Sequence, residues 1–240
     1  MSTDPATLGG RLPLLDRESL APAQKKLFDQ MAHNVVPWAD SEGFVARTNA
    51  GQFIGPFNPA LLNPAIGSAF LELQFTEEAH TSLSQRIRQV VILTVGAVWQ
   101  APYELYAHSA VGRRAGLSDD AVRTLAAGGP PQDLTEGEVV AHRVARALSV
   151  EHRVDDGLYA DAEALFSAEG VIDIVVLVGI YHTVCAILNA FAIPAAYEFD
   201  SSGAESRSAS SGGSAGCVHR FGALGDKLDG VGTPSVAVGL

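Results

Sequence analysis

The apolar segment "VIDIVVLVGIYHTVCAILNAFAIPAA" (171–196) is the feature that most constrains the fold. A run of this length is compatible with a membrane-spanning helix. It contains Asp173, His182 and Asn189, however, and it lacks the basic flanking residues that usually orient such helices. We therefore predict a helix that is buried on all sides at the centre of a protein without a membrane partner.

The rest of the chain before residue 200 shows helical rather than alternating periodicity, because apolar residues recur every three to four positions. Thr135 and Glu138 form a predicted capping box, and Ser82 or Ser84 can cap another helix. The fold class predicted from this pattern is all-α, with seven or eight helices. The predicted helical segments are 19–36, 58–80, 82–100, 101–116, 117–129, 134–154, 155–170 and the segment from 171 onward.

A loop rich in aromatic residues is predicted over 37–58, "PWADSEGFVARTNAGQFIGPFN". Loops with this much aromatic surface usually pack over a core, a pocket or a neighbouring subunit, and all three remain open here. The next helix is predicted to begin after Asn58, with Pro59 at its first position. The large apolar residues of the loop are Trp38, Phe44, Phe53, Ile54 and Phe57.

The composition changes after Asp200, which suggests a domain boundary. The helical domain is predicted to span 1–200. The following stretch, "SSGAESRSASSGGSAGC", is low in complexity, and flexible linkers have this composition. We expect residues 201–240 to form a flexible C-terminal tail that carries no site.

Charge and cysteine content narrow the class of protein. The formal net charge is -11, so the phosphates of a nucleic acid or an anionic membrane surface would repel the chain. The first residues lack the basic and apolar regions of a signal peptide. The two cysteines, Cys185 and Cys217, form no CxxC motif. These features favour a reduced, cytoplasmic protein.

The stretch "WQAPYELYAH" carries Glu104 and His108 four residues apart. On a helix this spacing places both side chains on one face, where they can hydrogen-bond or act on one ligand. The N-terminal helix dipole is expected to lower the pKa of Glu104 slightly, and the adjacent carboxylate to raise the pKa of His108. Such a couple is suited to proton transfer near neutral pH.

Two other interpretations of this pair stay open. An exposed Glu–His pair at this spacing would be worth only a few tenths of a kcal/mol and would have no chemical role. A metal site would need two or three further ligands. The other candidate histidines are not spaced as a metal motif, so no metal is predicted; they are His80, His142, His152 and His182.

Two segments give the chain a family resemblance: "LSQRIRQVVILTVGAVWQAPYELYAHSAVGRRAGLSDDAVRTLAAG" and "IVVLVGIYHTVCAILNAFAIP". They resemble the carboxymuconolactone decarboxylase family, which includes the alkylhydroperoxidase D-like proteins. The resemblance covers roughly residues 10–196. It implies an all-α helical bundle, a homo-oligomer that is often a trimer or hexamer, and sites near subunit interfaces.

Two departures from the family pattern bear on the chemistry. The peroxidase members of the family carry a CxxC motif, and the matching positions here are Ala101 and Glu104. Without a thiol there is no nucleophile for peroxide, so thiol peroxidase activity is not expected. The family also commonly places a Glu in the proton relay one helix earlier, where this chain has Gln89. A glutamine can bind an oxygen atom or orient a group but cannot exchange a proton.

These observations predict a cofactor-independent enzyme that moves protons on a small carbonyl or lactone substrate. Decarboxylation, isomerisation, dehydration and ring closure would all fit. Glu104 and His108 would be acid and base, with Gln89 as a partner for a substrate oxygen. The residues expected to line the substrate pocket are Tyr103, Trp99, Tyr181, His182 and Phe57. The residues that could hold an anion are Arg86, Arg88, Arg113 and Arg114.

Two rival predictions remain. The first is an oligomeric binding or accessory protein that has kept the fold and lost catalysis, which the Gln89 departure favours. The second is a redox protein that uses Cys185, although a buried thiol far from cations is unreactive.

Overall fold

The computed structural model describes residues 8–196, which form eight α-helices and a short 3-10 turn at Arg17–Ser19. No strand occurs in this part of the chain, where a single isolated bridge pairs Arg47 with Phe53. The all-α prediction is confirmed. The predicted tail, 201–240, lies outside the described residues. The helices are α1 (Pro22–Glu42), α2 (Phe57–Ala60), α3 (Pro64–His80), α4 (Gln85–Trp99), α5 (Pro102–Arg114), α6 (Asp119–Ala126), α7 (Glu136–Val150) and α8 (Asp156–Ala190).

The helix starts follow the capping residues of the sequence. Ser84 caps α4 by accepting a hydrogen bond from the backbone N–H of Ile87. Thr135 and Glu138 form the predicted capping box at the start of α7. These side chains satisfy N–H groups that the first turn of a helix leaves without partners.

Helix α1 extends beyond its predicted end, and α3 starts later than predicted. Pro37 lies inside α1, although a proline cannot donate the usual backbone hydrogen bond of a helix. Because α1 continues past Pro37, Trp38 is helical and does not belong to the loop. The predicted helix start at Pro59 is wrong, because only the single turn α2 forms there. The second Asn–Pro pair begins α3 instead: Asn63 caps the helix by accepting from Ile66 N–H, and Pro64 is its first residue.

The loop between α1 and α2 packs against the core of its own chain. Phe44, Phe53 and Ile54 are buried, and the ring of Phe53 meets that of Phe28 edge to face at 4.8 Å. The aromatic segment therefore packs on the core of its own chain, and a contact with a neighbouring subunit stays a prediction.

Tyr103 of α5 holds this loop in place through a hydrogen bond and a close ring contact. Its hydroxyl donates a hydrogen bond to the carbonyl of Val45 at 2.8 Å. Gly55 lies directly against the Tyr103 ring, and its backbone is left-handed with a φ of +64°. Both the missing Cβ and the positive φ require glycine at this position. The loop and α5 are thereby fixed to each other.

Helix α8 is not buried on all sides, so that prediction is wrong. One face of the helix is open, with Ile172, Val175 and Val176 between 37% and 54% exposed. Ser167 departs from helical geometry, with φ 60° and ψ 173°, and divides α8 into two segments as the sequence predicted. Among residues 8–196, α8 is also the one helix long and apolar enough to cross a membrane, a test that core helices pass as well.

Asp173, His182 and Asn189 of the apolar run each bond to another part of the bundle. His182 Nε2 lies 2.8 Å from Ser149 Oγ of α7, and the Asn189 amide donates to the carbonyl of Trp99 at 2.7 Å. Asp173 accepts hydrogen bonds from the turn between α3 and α4. These contacts support a helix that packs within a bundle, since polar groups of a packed helix are expected to find partners.

Asp173 is expected to stabilise the start of α4 through its charge. It accepts from the Ser82 N–H at 2.7 Å, the Ser82 hydroxyl at 2.8 Å and the Thr81 hydroxyl at 3.2 Å. Burial raises the pKa of Asp173, but these hydrogen bonds outweigh burial, so the net shift is below its ordinary value of 3.8. We expect Asp173→Asn to lower the free energy of unfolding by about 1–2 kcal/mol in urea titrations at neutral pH.

The sign of the pH dependence follows from the lowered pKa. The contribution of Asp173 is present above the ordinary value of 3.8 and is lost as the pH falls through the folded-state value. The difference between wild type and Asp173→Asn should therefore shrink in acid. Asp40→Asn, at an exposed position of α1, is the matched control. An equal loss of stability in both variants would contradict this role.

Candidate active site

A polar cluster lies where α4, α5 and α8 meet. We call it the Glu104 cluster; it consists of Glu104, His108, Gln89, Tyr181 and Arg88. All five residues are buried, with exposed fractions of 8% or less. Buried polar groups of this kind are expected to be paired or to have a chemical role.

The tight connection between α4 and α5 brings this cluster together. Gln100 ends α4 in a left-handed conformation, with φ 50°, and Pro102 begins α5 two residues later. Gly96 of α4 lies against the side chains of Glu104 and Leu105, so the two helices approach closely there. The first turn of α5 therefore presents Glu104 to α4.

Gln89 fixes the tautomer of His108. His108 Nδ1 lies 2.8 Å from Gln89 Oε1. An amide oxygen can only accept, so Nδ1 carries the hydrogen and Nε2 keeps its lone pair. That Nε2 atom lies 3.3 Å from Glu104 Oε1. Only a protonated Glu104 could donate to it, so the geometry fits a neutral carboxylic acid facing a neutral imidazole.

Burial determines the protonation of both groups. It raises the pKa of Glu104 from 4.5 to about 8. Burial first, and then the positive charge of Arg88, lower the pKa of His108 from 6.5 to about 3. The sequence predicted the opposite direction for each group, and both directions are wrong. The cost of burying a charge outweighs both the helix dipole and the attraction between the two side chains. The interpretation as an exposed salt bridge is excluded by the same burial.

Replacing Glu104 by Gln is expected to change how stability depends on pH. Because the folded-state pKa is about 8, the native protein keeps a proton that the unfolded chain releases above 4.5. The wild type should lose stability relative to Glu104→Gln as the pH rises from 4.5 to about 8, with no further change above that. Urea titrations of both proteins across this range would measure the difference. A constant difference would contradict a buried neutral Glu104.

Arg88 is the buried cation of the cluster, with 5% of its surface exposed. One terminal nitrogen of its guanidinium bonds to Glu77 of α3. Arg88 Nε is buried and has no hydrogen-bond partner, whereas Glu104 Oε1 finds one only when Glu104 is protonated toward His108 Nε2. Buried polar atoms without partners are rare, and an unfilled ligand position is one explanation for them.

The other arginines that the sequence marked for anion binding are placed differently. Arg86 pairs with the carboxylate of Glu138 at 2.6 Å. Arg113 pairs with Asp119 at 2.7 Å. Arg114 is exposed. Of the four arginines that the sequence marked for anion binding, Arg88 is the one that lies in the Glu104 cluster.

The five predicted pocket residues fall into three places: the Glu104 cluster, the hydrophobic core, which holds Tyr103 and Phe57, and a surface hollow. Tyr181 belongs to the Glu104 cluster, and its ring meets that of His108 edge to face at 5.1 Å. The hydroxyl of Tyr103 donates its hydrogen bond to the Val45 carbonyl. Phe57 packs in the core, 6.1 Å from Phe53.

Trp99 and His182 line a shallow, open apolar hollow on the surface, with their rings 5.8 Å apart. The neighbouring residues Tyr181 and His182 thus lie in the Glu104 cluster and in the hollow, respectively, because successive helix positions point about 100° apart. The remaining residues of the hollow are Thr183, Ala186, Ile187, Ala190 and Phe191.

A metal site and a reactive thiol are the remaining alternatives that the sequence raised. Among residues 8–196, no three His, Cys, Asp or Glu side chains come together in a way that could hold a metal ion. Cys185 is fully buried, and burial raises the pKa of its thiol far above the ordinary range. A thiol in this state is a poor nucleophile, which argues against a redox role for Cys185.

The arrangement of helices is that of the AhpD-like fold, so the resemblance seen in the sequence is confirmed at the level of fold. The debrominase Bmp8 in complex with 2,3,4-tribromopyrrole is similar, with a TM-score of 0.58 and 20% identity over 76% of this chain and 91% of that one. An uncharacterised peroxidase-related protein with an alkylhydroperoxidase AhpD core, from Ralstonia eutropha JMP134, gives 0.61 and 15% over 77% and 91%.

A protein of unknown function from Agrobacterium tumefaciens gives a TM-score of 0.53 and 20% identity, over 57% of this chain and 95% of that one. Neither a protein-family model nor a curated protein sequence matches the chain. At these identities the likeness establishes the fold alone.

Proposed function

We propose that this protein is a cofactor-independent enzyme that moves protons on a small carbonyl or lactone compound, with Glu104 as the acid and His108 as the base. The observation that carries the proposal is the buried Glu104–His108 pair, in which Glu104 Oε1 lies 3.3 Å from His108 Nε2. A neutral acid beside a neutral base can give one proton and take another in a single turnover.

Each member of the pair has a defined task in this scheme. The protonated Glu104 gives its proton to the substrate, and His108 Nε2 takes one from it. The two groups are close enough to return the proton directly and restore the starting state. Gln89 is a positioning residue, because its Oε1 is already bound to His108 Nδ1 and holds the imidazole in the required tautomer. This differs from the sequence prediction that Gln89 binds a substrate oxygen.

The similar structures support an enzyme that acts on a small molecule. One of them is a debrominase with a bromopyrrole bound, and another is described as peroxidase-related. A thiol mechanism is not expected at the Glu104 cluster, because the family resemblance places Ala101 and Glu104 at the positions of the CxxC cysteines. Lyase or isomerase chemistry in the cytoplasm, driven by proton transfer alone, is the proposal that remains.

The proposal includes a homo-oligomer, a trimer or hexamer. The open face of α8 supports it, because Ile172, Val175 and Val176 expose apolar area that a second subunit would cover. No nucleic acid or membrane partner forms part of the proposal.

A non-catalytic ligand-binding protein is the second candidate, and Gln89 is the observation that favours it. A glutamine at a relay position cannot pass a proton onward. This candidate predicts saturable binding of a small molecule without any turnover.

Solvent deuterium incorporation separates the two candidates. The purified protein is incubated in deuterium oxide with a panel of keto acids, lactones and simple ketones, and deuterium at the carbon next to each carbonyl is followed by NMR. Exchange by the wild type that is lost in Glu104→Gln would support the enzyme. Saturable binding without exchange would support the binding protein.

A further inference from the structure

We propose that the substrate of the Glu104 cluster is an uncharged carbonyl compound, a ketone, aldehyde or lactone, whose oxygen accepts a hydrogen bond from Arg88 Nε. This inference rests on the proposed function, and it narrows that function to reactions that proceed through an enol, without a carboxylate on the substrate.

The free donor is the Nε–H of Arg88. This atom is buried and has no hydrogen-bond partner, while a terminal nitrogen of the same guanidinium is held by Glu77. A buried N–H without an acceptor costs free energy, and a ligand oxygen would recover that cost. Because Glu77 fixes the guanidinium, the Nε–H is oriented before the ligand arrives. Preorganised donors of this kind stabilise oxygen atoms on which charge develops.

The charges around Arg88 disfavour a carboxylate. Glu77 pairs with the guanidinium directly, and Glu78 also interacts with it electrostatically. Asp173 lies within electrostatic range of the same group. One positive charge therefore faces three acidic side chains. A substrate carboxylate would add a further negative charge to this environment, and unfavourable like-charge contacts of this kind cost several kcal/mol.

No second cation of the cluster is available to offset that charge. The arginines on neighbouring turns of α4 and α5, Arg86 and Arg113, are committed to Glu138 and Asp119. An uncharged carbonyl meets no such penalty. It still uses the hydrogen bond from Arg88 Nε, which is stronger than a neutral one because the donor is charged.

The resulting reaction balances without any co-reactant. His108 Nε2 takes the proton from the carbon next to the carbonyl, and Glu104 gives its proton to the carbonyl oxygen. The C–H bond breaks, an O–H bond forms, and the electron pair moves to make the enol. Glu104 is then a carboxylate and His108 an imidazolium. Direct proton transfer between them across 3.3 Å restores the neutral pair.

Matched probes test the charge preference directly. Acetone and acetate have nearly the same size and differ in charge, and so do acetophenone and benzoate. The ¹⁵N–¹H signal of Arg88 Nε is followed by NMR at neutral pH while each probe is added to the full chain. Arg88→Lys, which lacks this N–H, identifies the signal.

The uncharged member of each pair is expected to shift the Arg88 Nε signal saturably, and at about tenfold lower concentration than its carboxylate. Tighter binding of the carboxylates would overturn the proposal. A signal that responds to neither member of either pair would overturn it as well, because Arg88 would then have no carbonyl position beside it.

A charge variant gives an independent result. Glu77→Gln removes one negative charge beside Arg88, so acetate and benzoate should gain affinity by at least about tenfold relative to acetone and acetophenone. Glu72→Gln, at an exposed position of the same helix, should leave the preference unchanged. Equal behaviour of the two variants would contradict the charge argument.

These measurements report binding and do not require turnover. Probe binding without deuterium exchange in any substrate would leave the charge preference standing and remove the proposed enzyme. Exchange that occurs with carboxylates in preference to ketones would support the proposed enzyme and overturn the charge preference.

Discussion

Glu104→Gln is expected to lower the rate of solvent deuterium exchange into a substrate by about two to four orders of magnitude. Glutamine has nearly the same shape as glutamic acid and still forms hydrogen bonds, but it has no acidic proton to give. The loss should therefore appear in kcat, with KM changed much less. Deuterium exchange of the purified variant, followed by NMR with the best substrate of the panel, would measure it.

The pH profile adds a second readout to this prediction. In the proposed mechanism, activity requires a protonated Glu104 and a neutral His108, whose pKa values are about 8 and about 3. The rate should stay level through mildly acidic and neutral pH and fall as the pH rises through about 8. With ordinary pKa values, Glu104 would be mostly neutral only below 4.5 and His108 mostly neutral only above 6.5. No pH would then favour the neutral form of both groups.

The control for this variant is Glu169→Gln, which makes the same change at an exposed position of α8. It should leave kcat and the pH profile unaltered. Wild-type exchange rates in folded Glu104→Gln would rule out Glu104 as the acid.

Gly55→Ala is expected to destabilise the fold by about 3 kcal/mol. Two costs combine at this position. The new Cβ would overlap the ring of Tyr103, and the residue would have to keep a φ of +64°, a left-handed conformation that favours glycine. Urea titration at neutral pH would measure the change in the free energy of unfolding.

Gly51→Ala separates the two costs. Gly51 lies in the same loop and has a φ of +88°, but a Cβ there would meet no atom within 4 Å. It should therefore show only the backbone cost, about 1–2 kcal/mol. The Gly55→Ala penalty should also shrink in a Tyr103→Ala background, since the overlapping ring is then gone. Equal losses for the two glycines would contradict the packing of the loop on α5.

Local sequence signals predicted most of the helices. The capping box of Thr135 and Glu138 and the serine cap of α4 act over three residues, so the sequence contains all that is needed to find them. Two Asn–Pro pairs presented the same local signal, and only the second begins a long helix. Asn58 instead binds the backbone of Pro13 and Leu15. Contacts between distant parts of the chain decided between these pairs.

The cluster itself was predicted in part. Helical spacing was enough to place Glu104 and His108 on one face. Their protonation was not predictable from that spacing, because it depends on burial by α4 and α8. Arg88 shows the same limit: its pairing with Glu77 brings together two helices whose packing no local pattern encodes. Trp99 and His182 were predicted as pocket residues from residue type alone, and they line a separate hollow.

The hydrogen bond from His108 to Gln89 also has an evolutionary consequence. Codons for glutamine and glutamate differ at a single base. One nucleotide substitution at position 89 would place a second ionisable acid beside the imidazole. Once ionised, that acid would make His108 easier to protonate. A single point mutation at position 89 therefore changes the charge that the buried imidazole can carry.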